Sequence, residues 1–221
     1  MVNVVNPSPK MNEQALKSYL MIIDALFYCI KLRDEQTANH SVLMAHYSYK
    51  LAQIHDPKQS MLYYAGSLIH DLGKIAMGDD ILKGNGVLST KDKACLSEHV
   101  QKGIKLIESF ELPSVINNIV EYHHERFDGS GYLKGLKGKQ IPLSGRIAAI
   151  SDTFSTIIGG RPYQSPLSAV SAIKIMEEES FLFDAAILRS LIELVEQETE
   201  YNQSVSTVKI PWSQLSINPK N

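Results

Sequence analysis

Leu68-Ile69-His70-Asp71-Leu72-Gly73-Lys74-Ile75 is the stretch on which the reading of this chain turns. It puts an imidazole and a carboxylate side by side at the end of an apolar helical run, just before a glycine. Neighbouring helix positions point about 100° apart. At a helix end, however, both side chains can grip one metal ion or join two. A carboxylate can bridge through its two oxygens, which makes Asp71 the natural shared ligand. The same residue types recur outward from this pair: His40 upstream, then His99, the pair His123-His124, and Asp152. Imidazole with carboxylate suits borderline metals such as iron, manganese or zinc, and these seven groups exceed what one ion needs.

The intervening sequence predicts an all-α fold. Asn12 to Arg33 carries Leu16, Leu20, Ile23, Leu26, Phe27 and Ile30 at helical spacing. A second helix is expected from Thr37 to His55. Asp56-Pro57 is expected to cap and open a third, with His70-Asp71 at its C-terminal end. After a loop with a short helix around Ile81-Leu82, helices are expected over Lys91–Phe110 and Pro113–His124. Phe127 to Gly138 is glycine-rich and reads as an irregular loop. Helix returns from Pro142 to Ile158 with Asp152 inside it, again from a Ser165-Pro166 cap, and from Ala185 to Glu198. The tail from Tyr201 to Asn221 reads as an extended strap anchored by Trp212. Asp152 follows Ala148-Ala149-Ile150-Ser151, and a carboxylate in such apolar company needs a partner.

Composition narrows the partners. With 221 residues and 44% apolar content, one domain with a sizeable core is expected. A net charge of −2 without a long basic run excludes polymeric nucleic acid as a partner. Cys29 and Cys95 form no CxxC and are expected to be buried, reduced thiols. The apolar stretch Tyr19–Ile30 contains Asp24 and is too short to span a bilayer. No apolar signal core precedes it, so no membrane association and a cytoplasmic location are expected. His46 and His55 receive no role. Two adjacent ligand pairs in one pocket point to at least two metals, a device suited to splitting phosphate esters.

Taken together, Arg33-Asp34…Thr37-Ala38-Asn39-His40-Ser41, the His70-Asp71…Lys74 stretch, Glu98-His99, His123-His124-Glu125-Arg126-Phe127-Asp128-Gly129-Ser130-Gly131-Tyr132, Arg146…Ser151-Asp152-Thr153-Phe154 and Arg161-Pro162-Tyr163 closely resemble the HD-GYP family of the HD-domain metal-dependent phosphohydrolases. The resemblance runs from about Arg33 to Val195. It implies an HD-domain helical bundle over 34–198, with an added N-terminal tail and helix over 1–33 and a C-terminal tail over 199–221. It implies a phosphodiesterase that opens a cyclic dinucleotide, chiefly cyclic di-GMP, to linear pGpG and onward to GMP, through a hydroxide held between two divalent ions, iron or manganese. His40, His70, Asp71, His99, His123, His124 and Asp152 fall on the family's ligand positions. The implied division gives His40, His70 and Asp152 to one ion and His99, His123 and His124 to the other, with Asp71 bridging. Lys74 is expected on a phosphate oxygen, and Asp71 as acceptor of the attacking water's proton. Gly131, Tyr132 and Arg161 match positions that contact the nucleotide or support its pocket. Glu125, Arg126 and Asp128 are expected to orient the histidines and the loop.

Three residues depart from the family pattern. Leu133 stands where proline is usual, Gln36 where trinuclear members carry a glutamate, and Gln164 where a cation usually follows Arg-Pro-Tyr. The first and third affect recognition, and the second favours two metals. Two other readings stay open: a cyclic-dinucleotide sensor or interaction module with little turnover, and another HD-type hydrolase of nucleotides or phosphate esters. The N-terminal helix is expected to pack on the chain's own core, with a homodimer or signalling-protein contact as the alternative.

Overall fold

Asp34 begins the helix that carries His40: its carboxylate accepts the Thr37 backbone N–H at 3.0 Å, satisfying a donor that the first turn leaves free. The computed structural model describes residues 13–79, 90–159 and 166–202. Among them run α1 (Glu13–Arg33), α2 (Glu35–His55), α3 (Ser60–Leu68), α4 (Thr90–Ile107), α5 (Ser114–Tyr122), α6 (Leu143–Gly159), α7 (Ala169–Glu178) and α8 (Ala185–Asn202), with no strand. The all-α expectation is met. No described helix is long and apolar enough to cross a membrane.

The buried helix α3 lies at the centre, against α1, α2 and α5, while α6 packs on α2 and α5. Leu62, Leu68, Ile116, Ile119, Ile147 and Phe154 fill the space between them. Helix α1 adds Ile23, Phe27 and Ile30 to the same core. At about 1.5–3 kcal/mol for each fully buried side chain of this kind, these three fasten the helix firmly. Its outer side exposes Met21, Tyr28 and Leu32. Cys29 is exposed as well, contrary to expectation. It adjoins buried Ile30 in sequence, but the helical turn of about 100° per residue carries it away from the core.

Several helix boundaries differ from the sequence expectation. Pro57–Gln59 forms a separate 3-10 turn before α3. The Asp56 carboxylate does not cap it; it accepts hydrogen bonds from Gln59 Nε2 at 2.8 Å and Tyr63 Oη at 3.2 Å. Helix α3 ends at Leu68, so His70 and Asp71 lie beyond it. There the backbone tightens into three-residue bonds: Ile69 N to Gly66 O, Leu72 N to Ile69 O and Lys74 N to Asp71 O. Helix α7 begins at Ala169, with Ser168 Oγ accepting the Ser171 N–H at 3.1 Å, and Pro166 lies before it outside any helix. The preceding Leu167 is tied to α6 through the Ile157 carbonyl. Ile81, Leu82, Arg161, Gln164, Ser165 and Trp212 fall outside the described residues.

Helix α8 closes the bundle over α2. Glu198 accepts hydrogen bonds from Tyr47 Oη at 3.2 Å and from Lys50 Nζ, with His46 Nε2 at 3.7 Å. His55 meets Ser190 Oγ at 3.0 Å. The two histidines without a chemical role are thus helix-to-helix contacts.

Candidate metal centre

Five segments deliver the seven side chains singled out in the sequence. His40 comes from α2, His70 and Asp71 from the turns after α3, and His99 from α4. His123 and His124 come from the end of α5, and Asp152 from α6. The structure brings all seven together. Donor atoms of His40, His70 and Asp152 lie within 4.8 Å of one another, as do those of His99, His123 and His124. A third such group, His70, Asp71 and His123, joins the two halves. Asp71 spans the junction. Its Oδ2 lies 3.1 Å from His70 Nε2, and its Oδ1 lies 3.1 Å from His99 Nε2.

Gly73 makes this junction possible. A Cβ there would lie 1.8 Å from the His99 carbonyl oxygen and 2.6 Å from the Gly103 nitrogen. Only glycine lets the turn carrying Asp71 press against the stretch of α4 carrying His99.

The imidazoles are oriented by their surroundings. His70 Nδ1 donates to the Ser67 carbonyl at 2.8 Å, and His123 Nδ1 faces the Ile119 and Val120 carbonyls at 3.2 and 3.1 Å. Both rings thereby turn Nε2 into the centre, where His123 Nε2 lies 3.2 Å from His99 Nε2. His70 Nε2 and Asp71 Oδ1 are buried without a hydrogen-bond partner. A bare polar atom in the interior costs about 1–3 kcal/mol, a cost that a cation between them would remove. The donor set therefore fits divalent metal.

Electrostatics favour the same state. Burial pushes His124 down to about 3, with Asp152 opposing and His99 adding to the shift. Burial and the neighbouring His124, His70 and His99 hold His123 well below the usual imidazole range. Burial raises Asp71, but His70, Lys74 and His99 outweigh it and hold the carboxyl well below its ordinary value. Asp152 is likewise raised by burial and lowered further by His40, His124 and His70. Neutral imidazoles beside ionised carboxylates are what a divalent ion requires. His70 runs the other way: burial lowers it, yet Asp71 and Asp152 raise it overall. A proton there offsets the carboxylate charge that a metal would otherwise neutralise.

The glycine-rich loop borders the centre. Tyr132 stacks on His124 with ring centroids 4.7 Å apart and remains exposed. Its backbone N–H donates to the His124 carbonyl at 3.2 Å. A Cβ on Gly131 would lie within 2.5 Å of Arg126 N, Glu125 Cα and the His124 carbonyl oxygen, so this residue serves by close packing. Glu125, fully buried, accepts the Lys134 and Leu136 backbone N–H groups at 2.7 and 2.9 Å. Arg126 Nη1 donates to Thr153 Oγ1 at 3.0 Å. Asp128 accepts from Ser130 N and Oγ and holds the loop rather than a histidine. Lys74 Nζ rests on Asp71 Oδ2 at 2.6 Å. Thr153 and Ser155 received no role from the sequence. Ser155, one helical turn beyond Asp152, could have been found by that spacing.

A family model described as HD domain matches residues 24–187. The chain belongs to the HD-domain family. This HD domain is 32% identical over 169 residues to a Pseudomonas aeruginosa protein named cyclic di-GMP phosphodiesterase PA4108, covering 75% of the chain and 41% of the relative. It is 35% identical over 141 residues to a Vibrio cholerae protein named 3'3'-cGAMP-specific phosphodiesterase 2, covering 62% of the chain and 27% of the relative. The chain thus spans less than half the length of either. In fold it is similar to Bd1817, described as an HDG"Y"P protein from Bdellovibrio bacteriovorus. That match has a TM-score of 0.62 at 21% identity over 85% of this chain and 66% of the other.

Proposed function

We propose that this HD domain is a metal-dependent phosphodiesterase that opens a cyclic dinucleotide, with cyclic di-GMP as substrate and linear pGpG, then GMP, as products. The observation that carries the reading is the junction at Asp71, whose two oxygens face His70 on one side and His99 on the other. His40, His70 and Asp152 would hold one ion and His99, His123 and His124 the second, with Asp71 shared. Two divalent ions, iron or manganese, would lower the pKa of water and neutralise charge on the phosphoryl oxygens.

The chain's own groups do the rest. Asp71 accepts the proton of the attacking water on a carboxylate oxygen. Lys74, at 2.6 Å from Asp71 Oδ2, sits where its ammonium can pass to a phosphate oxygen as charge develops. Tyr132, exposed above His124, offers a ring and a phenol to the nucleotide, and Gly131 supports the pocket behind it. Arg161 completes the set as a contact to phosphate or guanine. Glu125, Arg126 and Asp128 keep the loop in place. In this proposal residues 34–198 form the catalytic unit, flanked by residues 1–33, of which α1 packs on it, and by residues 199–221. The enzyme acts in the cytoplasm, and the outer side of α1 is open to a second copy or a signalling partner.

The relative named for 3'3'-cGAMP gives a second substrate reading, a mixed cyclic dinucleotide. The test is to load the protein anaerobically with ferrous iron or manganese and offer cyclic di-GMP, 3'3'-cGAMP and cyclic di-AMP, resolving products by chromatography. Linear dinucleotide from cyclic di-GMP, abolished by a chelator, is expected. Preference for 3'3'-cGAMP would move the substrate and leave the chemistry intact. Nucleotide binding without product would replace the enzyme with a sensor.

A further inference from the structure

The histidines of the centre are not all held alike. His70 and His123 are fixed by backbone carbonyls of their own segments, at 2.8 Å and at 3.1–3.2 Å. His124 lies between the rings of His123 and Tyr132, with centroids 4.1 and 4.7 Å away. For His40 the Nδ1 contact crosses from α2 to α6, where Ser155 Oγ lies 3.4 Å away. The Ser155 hydroxyl donates its hydrogen to the Asp152 carbonyl at 3.1 Å. Its oxygen is then left to accept the His40 Nδ1–H, which turns His40 Nε2 toward Asp152 Oδ1 at 2.9 Å. One buried hydroxyl thus touches the ring of one proposed ligand and the backbone of another.

We propose that Ser155 is the positioning residue of His40, so that loss of its hydroxyl loosens the ion of the His40–His70–Asp152 half and spares that of the His99–His123–His124 half. The proposal deepens the metal-centre reading above and rests on it. Without that contact the His40 ring is freer to turn, and that freedom is lost on binding metal. Partners of this kind typically carry about 10–100-fold of metal affinity.

The test is a titration of the metal-free full chain with Mn²⁺, following free ion by electron paramagnetic resonance and heat by calorimetry. The unaltered chain is expected to take two ions in two separable steps. Ser155→Ala should weaken one of the two steps by about tenfold or more and leave the other within about twofold. Ser155→Thr, which keeps the hydroxyl, should restore it. Ser155→Cys, close in size but a weak acceptor, carries the same expectation as alanine if alanine compromises folding. Ser48→Ala is the control: Ser48 is buried in α2 with an unpartnered hydroxyl, and its removal should alter neither step. Two unchanged steps in Ser155→Ala and Ser155→Cys, an equal loss at both steps, or an equal effect from Ser48→Ala would each overturn the role of Ser155 alone. No Mn²⁺ uptake by the unaltered chain would overturn the metal-centre reading with it.

Discussion

Replacing Glu125 by alanine should release the glycine-rich loop while sparing the metal ligands. Glu125 is completely buried, and both its oxygens are spent on the backbone amides of Lys134 and Leu136. Hydrogen bonds to a charged group contribute about 1.5–3 kcal/mol each, so two amount to about 3–6 kcal/mol. Relief of the buried carboxylate's own desolvation returns part of this, leaving about 3 kcal/mol. The loss is local, because an opened loop can hydrate both amides. It corresponds to a fall on the order of 10²-fold in the ratio of docked to open loop. Hydrogen exchange read on a peptide covering residues 127–138 should accelerate by that order, with two bound metals retained. KM for the nucleotide should rise as Tyr132 leaves His124. Unchanged exchange in this peptide, with the protein still folded, would refute the role given to Glu125.

Two further substitutions probe the scaffold. Gly73→Ala forces a Cβ to within 1.8 Å of the His99 carbonyl, so the turn must leave α4; overpacking of this kind costs about 1–3 kcal/mol or more, read as a lower Tm together with weakened metal uptake. Glu198 is raised by burial but lowered to about 2 by His46 and Lys50, so its contribution is complete above the ordinary carboxylate range near 4.5 and lost as pH falls toward 2. Glu198→Gln should therefore destabilise at pH 7 by about 1–2 kcal/mol, after allowance for partial exposure, and by much less at pH 3; urea midpoints of the two proteins at both pH values check the sign.

What could be read from the sequence and what could not follow from the range of the interactions. The seven histidines and aspartates stood out because their residue types are costly to bury without a shared purpose, and the structure gathers every one of them. The helices carrying Ile23, Leu51, Ile119 and Ile147 were legible from local periodicity. The end of α3 was not, because His70 leaves the helix so that Gly73 can meet α4, a contact between segments distant in sequence. For the same reason Glu125 could be suspected as a support, but not matched to the amides of Lys134 and Leu136. The cap of α7 at Ser168 was not legible, because several serines near it could serve and local sequence does not rank them. Cys29 was misplaced by its apolar neighbours, since hydrophobic company along a helix does not fix which side faces the core.

The central claim is that one carboxylate joins two metal positions into a phosphodiesterase centre. Its most direct test is Asp71→Ala, with bound metal per chain and turnover of cyclic di-GMP measured on the same anaerobically loaded sample. The account predicts that the unaltered chain holds two ions and forms linear dinucleotide, whereas the variant loses both ions and drops in turnover on the order of 10³-fold or more. An Asp71→Ala protein that kept its metal and its turnover would contradict the account.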